Sequence, residues 1–139
     1  MTRFGFVSHP ESVTLVAVDG EELVLVRQSR PGAPQPTLEL PAGALEPGET
    51  PEEAAVRELA EECGLAARSW RRLGGFWVAP SYSTEFTHVF EARGLTPVDG
   101  GVPDEDEDIS IERRPAAEAL TEVSDAGSIA ALALWQARG

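Results

Sequence analysis

The sequence predicts an α/β domain in which a mixed β-sheet is covered by helices. Three observations predict it: two Val- and Leu-rich runs flank an Asp-Gly turn, one strongly capped helix follows them, and further strands then give way to two closing helices. That order of strands, helix, strands and helices suits a sheet packed by helices. The chain has 139 residues, of which 42% are hydrophobic and 25% charged. This is enough for one domain, read as spanning 1–139, with a core of its own.

The runs from Ser12 to Val18 and from Glu22 to Gln28 flank Asp19-Gly20 and read as a β-hairpin. Three prolines and a glycine make 29–36 a loop. A short strand, Thr37 to Leu40, leads into the loop PAGALEPGE. Thr50 to Cys63 reads as a helix with both ends marked. Thr50 can cap it, Pro51 suits the first helical position, and Glu53 completes a Thr-x-x-Glu capping box. Gly64 stands where a left-handed terminating residue is wanted. Strands are expected at Trp70–Val78 and Glu85–Ala92, with a loop over 95–108. Ile109–Arg113 alternates like a strand, and Pro115–Val123 and Ser128–Ala137 read as helices.

Charge narrows the partners. Asp and Glu number 24 against 11 Lys and Arg, a formal net charge of −13. Such a surface repels phosphate backbones, which argues against a nucleic-acid binder. One cysteine, Cys63, leaves no intrachain disulfide and suits a reducing, cytoplasmic setting. No apolar run approaches the ~18–20 residues of a membrane span, and the N-terminus lacks a signal-peptide pattern.

The helix over 51–63 carries the chemistry. At 100° per residue Glu58, Glu61 and Glu62 share one face, with Val56, Leu59, Ala60 and Cys63 expected on the apolar side. Like charges at i,i+3 and i,i+4 cost about 0.2–0.5 kcal/mol per pair, and no cation follows at i+4. A divalent cation reverses the sign of that interaction, and Mg²⁺ prefers oxygen ligands alongside substrate phosphates.

Spacing sharpens this. Gly43 is followed after five residues by Glu49, and after seven more by Arg57-Glu58-Leu59-x-Glu61-Glu62-x-Gly64-Leu65. The pattern resembles the Nudix box, Gly-x5-Glu-x7-Arg-Glu-U-x-Glu-Glu-x-Gly-U, at every specified position. With each fixed residue about 6–7% common, a chance match is on the order of 10⁻⁷ or less. The resemblance implies a Nudix-type α/β/α sandwich with a mixed β-sheet and a diphosphate-cleaving enzyme using Mg²⁺ or Mn²⁺, two or more ions. It implies that Glu58, Glu62 and the Ala42 carbonyl ligate metal. Glu61 is a further ligand or an activator of water. Gly43, Glu49, Arg57 and Gly64 are structural, with Arg57 and Glu49 pairing to hold the loop onto the helix.

Residues outside the box resemble the ADP-ribose pyrophosphatase branch. Leu38-Glu39-Leu40-Pro41-Ala42-Gly43 is similar to its Leu-Glu-x-Pro-Ala-Gly entry, and Pro80 lies 15 residues beyond Leu65. Ser81-Tyr82-Ser83-Thr84-Glu85 is similar to its Ser-Pro-Gly-x-Ser/Thr-x-Glu loop, with Ala79 and Ser81 as departures. The run Asp104-Glu105-Asp106-Glu107-Asp108 resembles an acidic loop that supplies a late-arriving carboxylate. By that resemblance Glu105 is the general-base candidate beside Glu61, and Glu107 binds or orients metal. Arg30, with Arg27 and Glu85, is expected to contact a small nucleotide substrate. Homodimerisation is implied too. Only about ten residues precede the first hairpin, whereas many members carry a longer exchanged N-terminal domain. Adenosine is then held differently, or the substrate is not ADP-ribose.

Overall fold

The Asp19-Gly20 turn joins β1 (Ser12–Asp19) to β2 (Glu22–Gln28), with Gly20 at φ 62°. The computed structural model describes residues 5–98 and 109–139. β1 and β2 pair antiparallel only from Ala17↔Val24 to Asp19↔Glu22. Beyond that the two strands part, and each freed edge takes a new partner. β3 (Thr37–Glu39) pairs with Val26–Gln28 of β2, and β4 (Ala42–Ala44) pairs with Ser12–Thr14 of β1. The opposite edge of β1 carries β6 (Phe86–Pro97) in parallel, and that of β2 carries β7 (Ile109–Pro115). β5 (Leu65–Trp77) lies antiparallel beyond β6. The sheet is therefore mixed, as the sequence predicts, and has seven strands among the described residues.

Strand periodicity builds two cores. Val13, Leu15 and Ala17 face α1 (Pro51–Cys63) and cluster with Ala54, Ala55, Leu59 and Cys63. Val16 and Val18 point to the other face, toward Ala119 and Val123 beside α2 (Ala116–Glu122) and Ala131 and Leu132 of α3 (Ala126–Arg138). One helix on one face and two on the other make an α/β/α sandwich. No helix among the described residues is long and apolar enough to cross a membrane.

Several boundaries differ from the sequence reading. β5 starts directly after the helix and β6 runs on to Pro97, because Leu65–Ala67 pairs with Leu95–Pro97 and both leucines pack toward α1. β4 stands where a loop is expected: Ala-Gly-Ala has little strand propensity, and its pairing with β1 makes it a strand. α3 begins at Ala126, because Asp125 caps it by accepting from the Ser128 N–H at 3.0 Å.

α1 is capped at both ends as its sequence predicts. Thr50 Oγ1 accepts from the Glu53 N–H at 3.1 Å, and Glu53 Oε1 accepts from the Thr50 N–H at 3.0 Å. Gly64, at φ 68°, ends the helix. Its rotation about its own axis is a correction. Val56, expected in the core, is 52% exposed, while Ala54 and Ala55 are buried. The roll brings small alanines against the sheet and carries Glu58 and Glu62 inward toward β4.

Leu59, wholly buried, anchors that packing. Leu59→Ala is expected to lower unfolding free energy by about 2–5 kcal/mol in urea titrations. A loss under about 1 kcal/mol contradicts the packing described.

Candidate functional site

Arg57 ties the loop before α1 to the helix. Its Nε donates to Glu49 Oε2 at 2.7 Å and its Nη2 to Glu49 Oε1 at 2.9 Å. Nη2 also donates to the Ala44 carbonyl at 2.9 Å, and Nη1 to Glu58 Oε1 at 2.8 Å and Glu61 Oε2 at 3.1 Å. Hydrogen bonds from Arg57 and from the Glu46 backbone hold the Glu49 carboxyl down at about 2. These contacts place Arg57 and Glu49 in the pairing expected of them. They also show where the cation offsetting the glutamates comes from: the preceding residue, not one a turn further on.

Glu58 lies against the backbone of β4. A β-carbon built on Gly43 would stand 2.1 Å from Glu58 Cδ, so only glycine leaves room for this approach. Glu62 lies one turn on, near enough to Glu58 and to the Ala42 backbone for both to act on its carboxyl. Burial, and then the charge of Glu58, pushes the Glu62 carboxyl up to about 8. Burial also raises Glu58, against the opposing pull of Arg57. Glu61 does not join them: its side chain is 60% exposed and turns to Arg57. Of the three helical glutamates, two converge and one faces outward. Glu105 and Glu107 lie outside the described residues.

A cleft of about 490 Å³ opens beside Ala42–Ala44, on the sheet face of α3. Arg30 lines it and is held by two parallel bonds to Glu39, both 2.9 Å. Burial works to raise Glu39, but hydrogen bonds from Arg30 and Thr37 keep its carboxyl below the ordinary range. Glu85 also lines the cleft, accepting from Ser12 Oγ at 2.7 Å. Arg27 is placed differently. It is bound by Glu112 on β7 and does not line the cleft.

Sequence reasoning missed several residues of the cleft wall: Glu39, Ser12, Thr14, Thr87 and Asp125. A signal existed for two of them. Ser12 and Thr14 are polar on the strand face that Val16 and Val18 continue as core. The Thr14 and Thr87 hydroxyls bond at 2.8 Å across the parallel pair, so the cleft floor is polar but internally satisfied.

A glycine that admits a glutamate, a paired arginine and a capped helix recur together in one family, and a NUDIX domain profile matches residues 8–133. The chain belongs to the Nudix family. An ADP-ribose pyrophosphatase of Bacillus subtilis (strain 168) is 40% identical over 91 residues, which is 65% of this chain and 49% of that protein. The methanol dehydrogenase activator of Bacillus methanolicus is 34% identical over 121 residues, 86% of this chain and 65% of its own. A solved structure of an ADP compounds hydrolase superposes with a TM-score of 0.82 at 30% identity, over 92% of this chain and 71% of that one. This chain therefore spans 49% and 65% of the lengths of these two sequence relatives.

The Nudix site fits a hard divalent cation by its donor chemistry. Glu58 and Glu62 offer carboxylate oxygens only, packed together at a cost that a dication offsets. No third His, Cys, Asp or Glu stands with them in a metal-holding cluster among the described residues. An ion there takes its remaining oxygens from backbone, water or substrate.

Glu62 binds its proton more tightly folded than unfolded, so its contribution to stability is full below about pH 4.5 and is lost as pH rises through about 8. The melting temperature of metal-stripped protein is expected to fall between pH 5 and pH 8.5. Glu62→Gln is expected to flatten that slope, and Mg²⁺ to raise the high-pH end. An unchanged slope in the variant contradicts the assignment.

Proposed function

We propose that this Nudix chain hydrolyses the diphosphate linkage of ADP-ribose or a related nucleoside diphosphate sugar, giving a nucleoside monophosphate and a sugar phosphate. The observation that carries the reading is the inward pair Glu58 and Glu62 on Gly43, beside a polar cleft holding Arg30. The names of the Bacillus subtilis relative and of the solved ADP compounds hydrolase support this substrate class.

In this reading Glu58 and Glu62 hold Mg²⁺ or Mn²⁺, two or more ions, with the Ala42 carbonyl. Held there, such ions would supply charge neutralisation for the phosphates and a more acidic water for the attack. The chain does the rest. Gly43 keeps the first carboxylate against β4, and Arg57 keeps the loop on the helix. Arg30 has five N–H donors and spends two on Glu39, so about three remain for phosphate oxygens. Glu85 and the hydroxyls of Ser12 and Thr14 line the sugar- or base-bearing part of the cleft. Water attacks phosphorus, the P–O anhydride bond breaks, and a carboxylate takes the water's proton. Glu105 is that base by its resemblance, with Glu107 assisting metal. Glu61, held outward by Arg57, is the alternative. The same resemblance makes the working unit a homodimer.

A substrate panel with identified products tests the reading. ADP-ribose or an ADP-sugar is expected to turn over with higher kcat/KM than nucleoside triphosphates, including oxidised ones. The reverse order overturns the substrate class and leaves the chemistry intact. Glu62→Gln is expected to lower kcat about a thousandfold, about 4 kcal/mol of barrier. Retained turnover overturns the metal site itself. Glu105→Gln is expected to lower kcat about a hundredfold or more with metal affinity kept. Full activity in that variant transfers the base role to Glu61 or another carboxylate.

A further inference from the structure

The cleft beside β4 runs along one end of the strands, and its two ends differ in chemistry. Arg30 stands at one end, between β2 and β3, and is the only arginine among the described residues that line the cleft. The other end lies past β1 and β6, where β5 leads into the loop over 79–85. His9, Val78, Ala79, Tyr82 and Glu85 line that end.

Charge sorts the two ends, since Glu85 repels phosphate where Arg30 attracts it. Glu85 Oε2 accepts from the Ser12 hydroxyl at 2.7 Å, whereas Oε1 has no hydrogen-bond donor among the described residues. His9 Nδ1 stands 3.7 Å from Oε1, outside hydrogen-bond reach, and donates instead to the Pro10 carbonyl at 2.6 Å. One carboxylate oxygen is thus left to accept an N–H or O–H from a ligand.

Tyr82 supplies an aromatic face beside it. The residue is 58% exposed, yet the loop that carries it is tied down. Its N–H donates to the Ala79 carbonyl at 3.1 Å, and its carbonyl accepts from the Val7 N–H at 2.6 Å. The Thr84 N–H returns to the Val7 carbonyl at 3.0 Å. The Thr84 hydroxyl accepts from the His9 N–H at 2.8 Å and donates to the His9 carbonyl at 3.1 Å. The segment before β1 therefore straps the loop in place. A tyrosine on a fixed backbone loses little conformational freedom on binding, because its side chain has two torsions.

We propose that this end of the cleft is a nucleobase subsite, in which the base stacks on Tyr82 and Glu85 Oε1 accepts from an N–H or O–H of the nucleoside. Every base has a flat face that an aromatic ring can meet, and a carboxylate suits the donors of a nucleoside and not its phosphates. The proposal rests on the reading that the cleft holds a nucleoside diphosphate. It also orients that molecule, with the base on the β5–β6 side and the diphosphate between β4 and Arg30. The base is then held by residues of one subunit.

Tyr82 is the one tyrosine in the chain, so its ring gives a single, unambiguous set of NMR signals. Metal-stripped full chain labelled on the tyrosine ring, titrated with AMP, tests the subsite. Saturable shifts of the ring signals are expected, with nuclear Overhauser contacts to the adenine protons. Ribose 5-phosphate is expected to leave the ring signals in place. By calorimetry Tyr82→Ala is expected to weaken AMP binding about tenfold or more, and Tyr82→Phe to stay within about twofold of the parent. Ring shifts equal with ribose 5-phosphate, no adenine contact at saturating AMP, or unaltered affinity in Tyr82→Ala overturn the subsite. Ring signals that broaden with protein concentration and ignore AMP also overturn it, and assign Tyr82, with exposed Phe6, Val7 and Trp77, to a contact between copies. AMP held at Tyr82 with ADP-ribose left uncleaved sinks the substrate class and keeps this site. ADP-ribose cleaved with AMP bound away from Tyr82 does the reverse.

Discussion

Glu58 reaches β4 because residue 43 has no side chain. A single methyl group there would overlap the carboxyl carbon at 2.1 Å. This contact joins two parts of the chain that the fold otherwise holds separately. β4 is placed by its pairing with β1, and α1 by its packing on Val13, Leu15 and Ala17. The carboxylates lie where these two placements meet. Arg57 then bridges the same junction from outside, bonding Ala44, Glu49 and Glu58 together.

The divergence of β1 and β2 is what makes room. Had the hairpin stayed paired along its length, no edge of β1 would remain for Ala42–Ala44. The parting of the strands also sets Glu39 and Arg30 on one side of the opening and Ser12 and Thr14 on the other. Cleft and carboxylate pair therefore share one structural cause. The burial that raises Glu62 belongs to the same arrangement, since the helix roll exposing Val56 turns Glu58 and Glu62 inward.

What the sequence made legible was local. Thr50, Glu53 and Gly64 act within a few residues of one another, so their roles follow from spacing. The box residues were legible as a pattern, and Arg57 with Glu49 as opposite charges eight residues apart. Less legible was anything decided by distant contacts. The rotation of α1 depends on which side chains the sheet accepts, and alanines fit where Val56 was expected. β4 has no propensity of its own and exists through β1. Arg27 is fixed by Glu112, 85 residues away, and no periodicity announces that bond. The acidic run at 104–108 lies outside the described residues, so its role rests on resemblance alone.

The central claim is that Glu58 and Glu62 share a divalent ion at β4. Crystals grown with Mn²⁺ and a phosphorylated ligand, with anomalous scattering measured at the manganese edge, test it most directly. The account expects a peak within about 2.0–2.6 Å of carboxylate oxygens from both residues. A peak bound elsewhere, or none at saturating manganese, contradicts it.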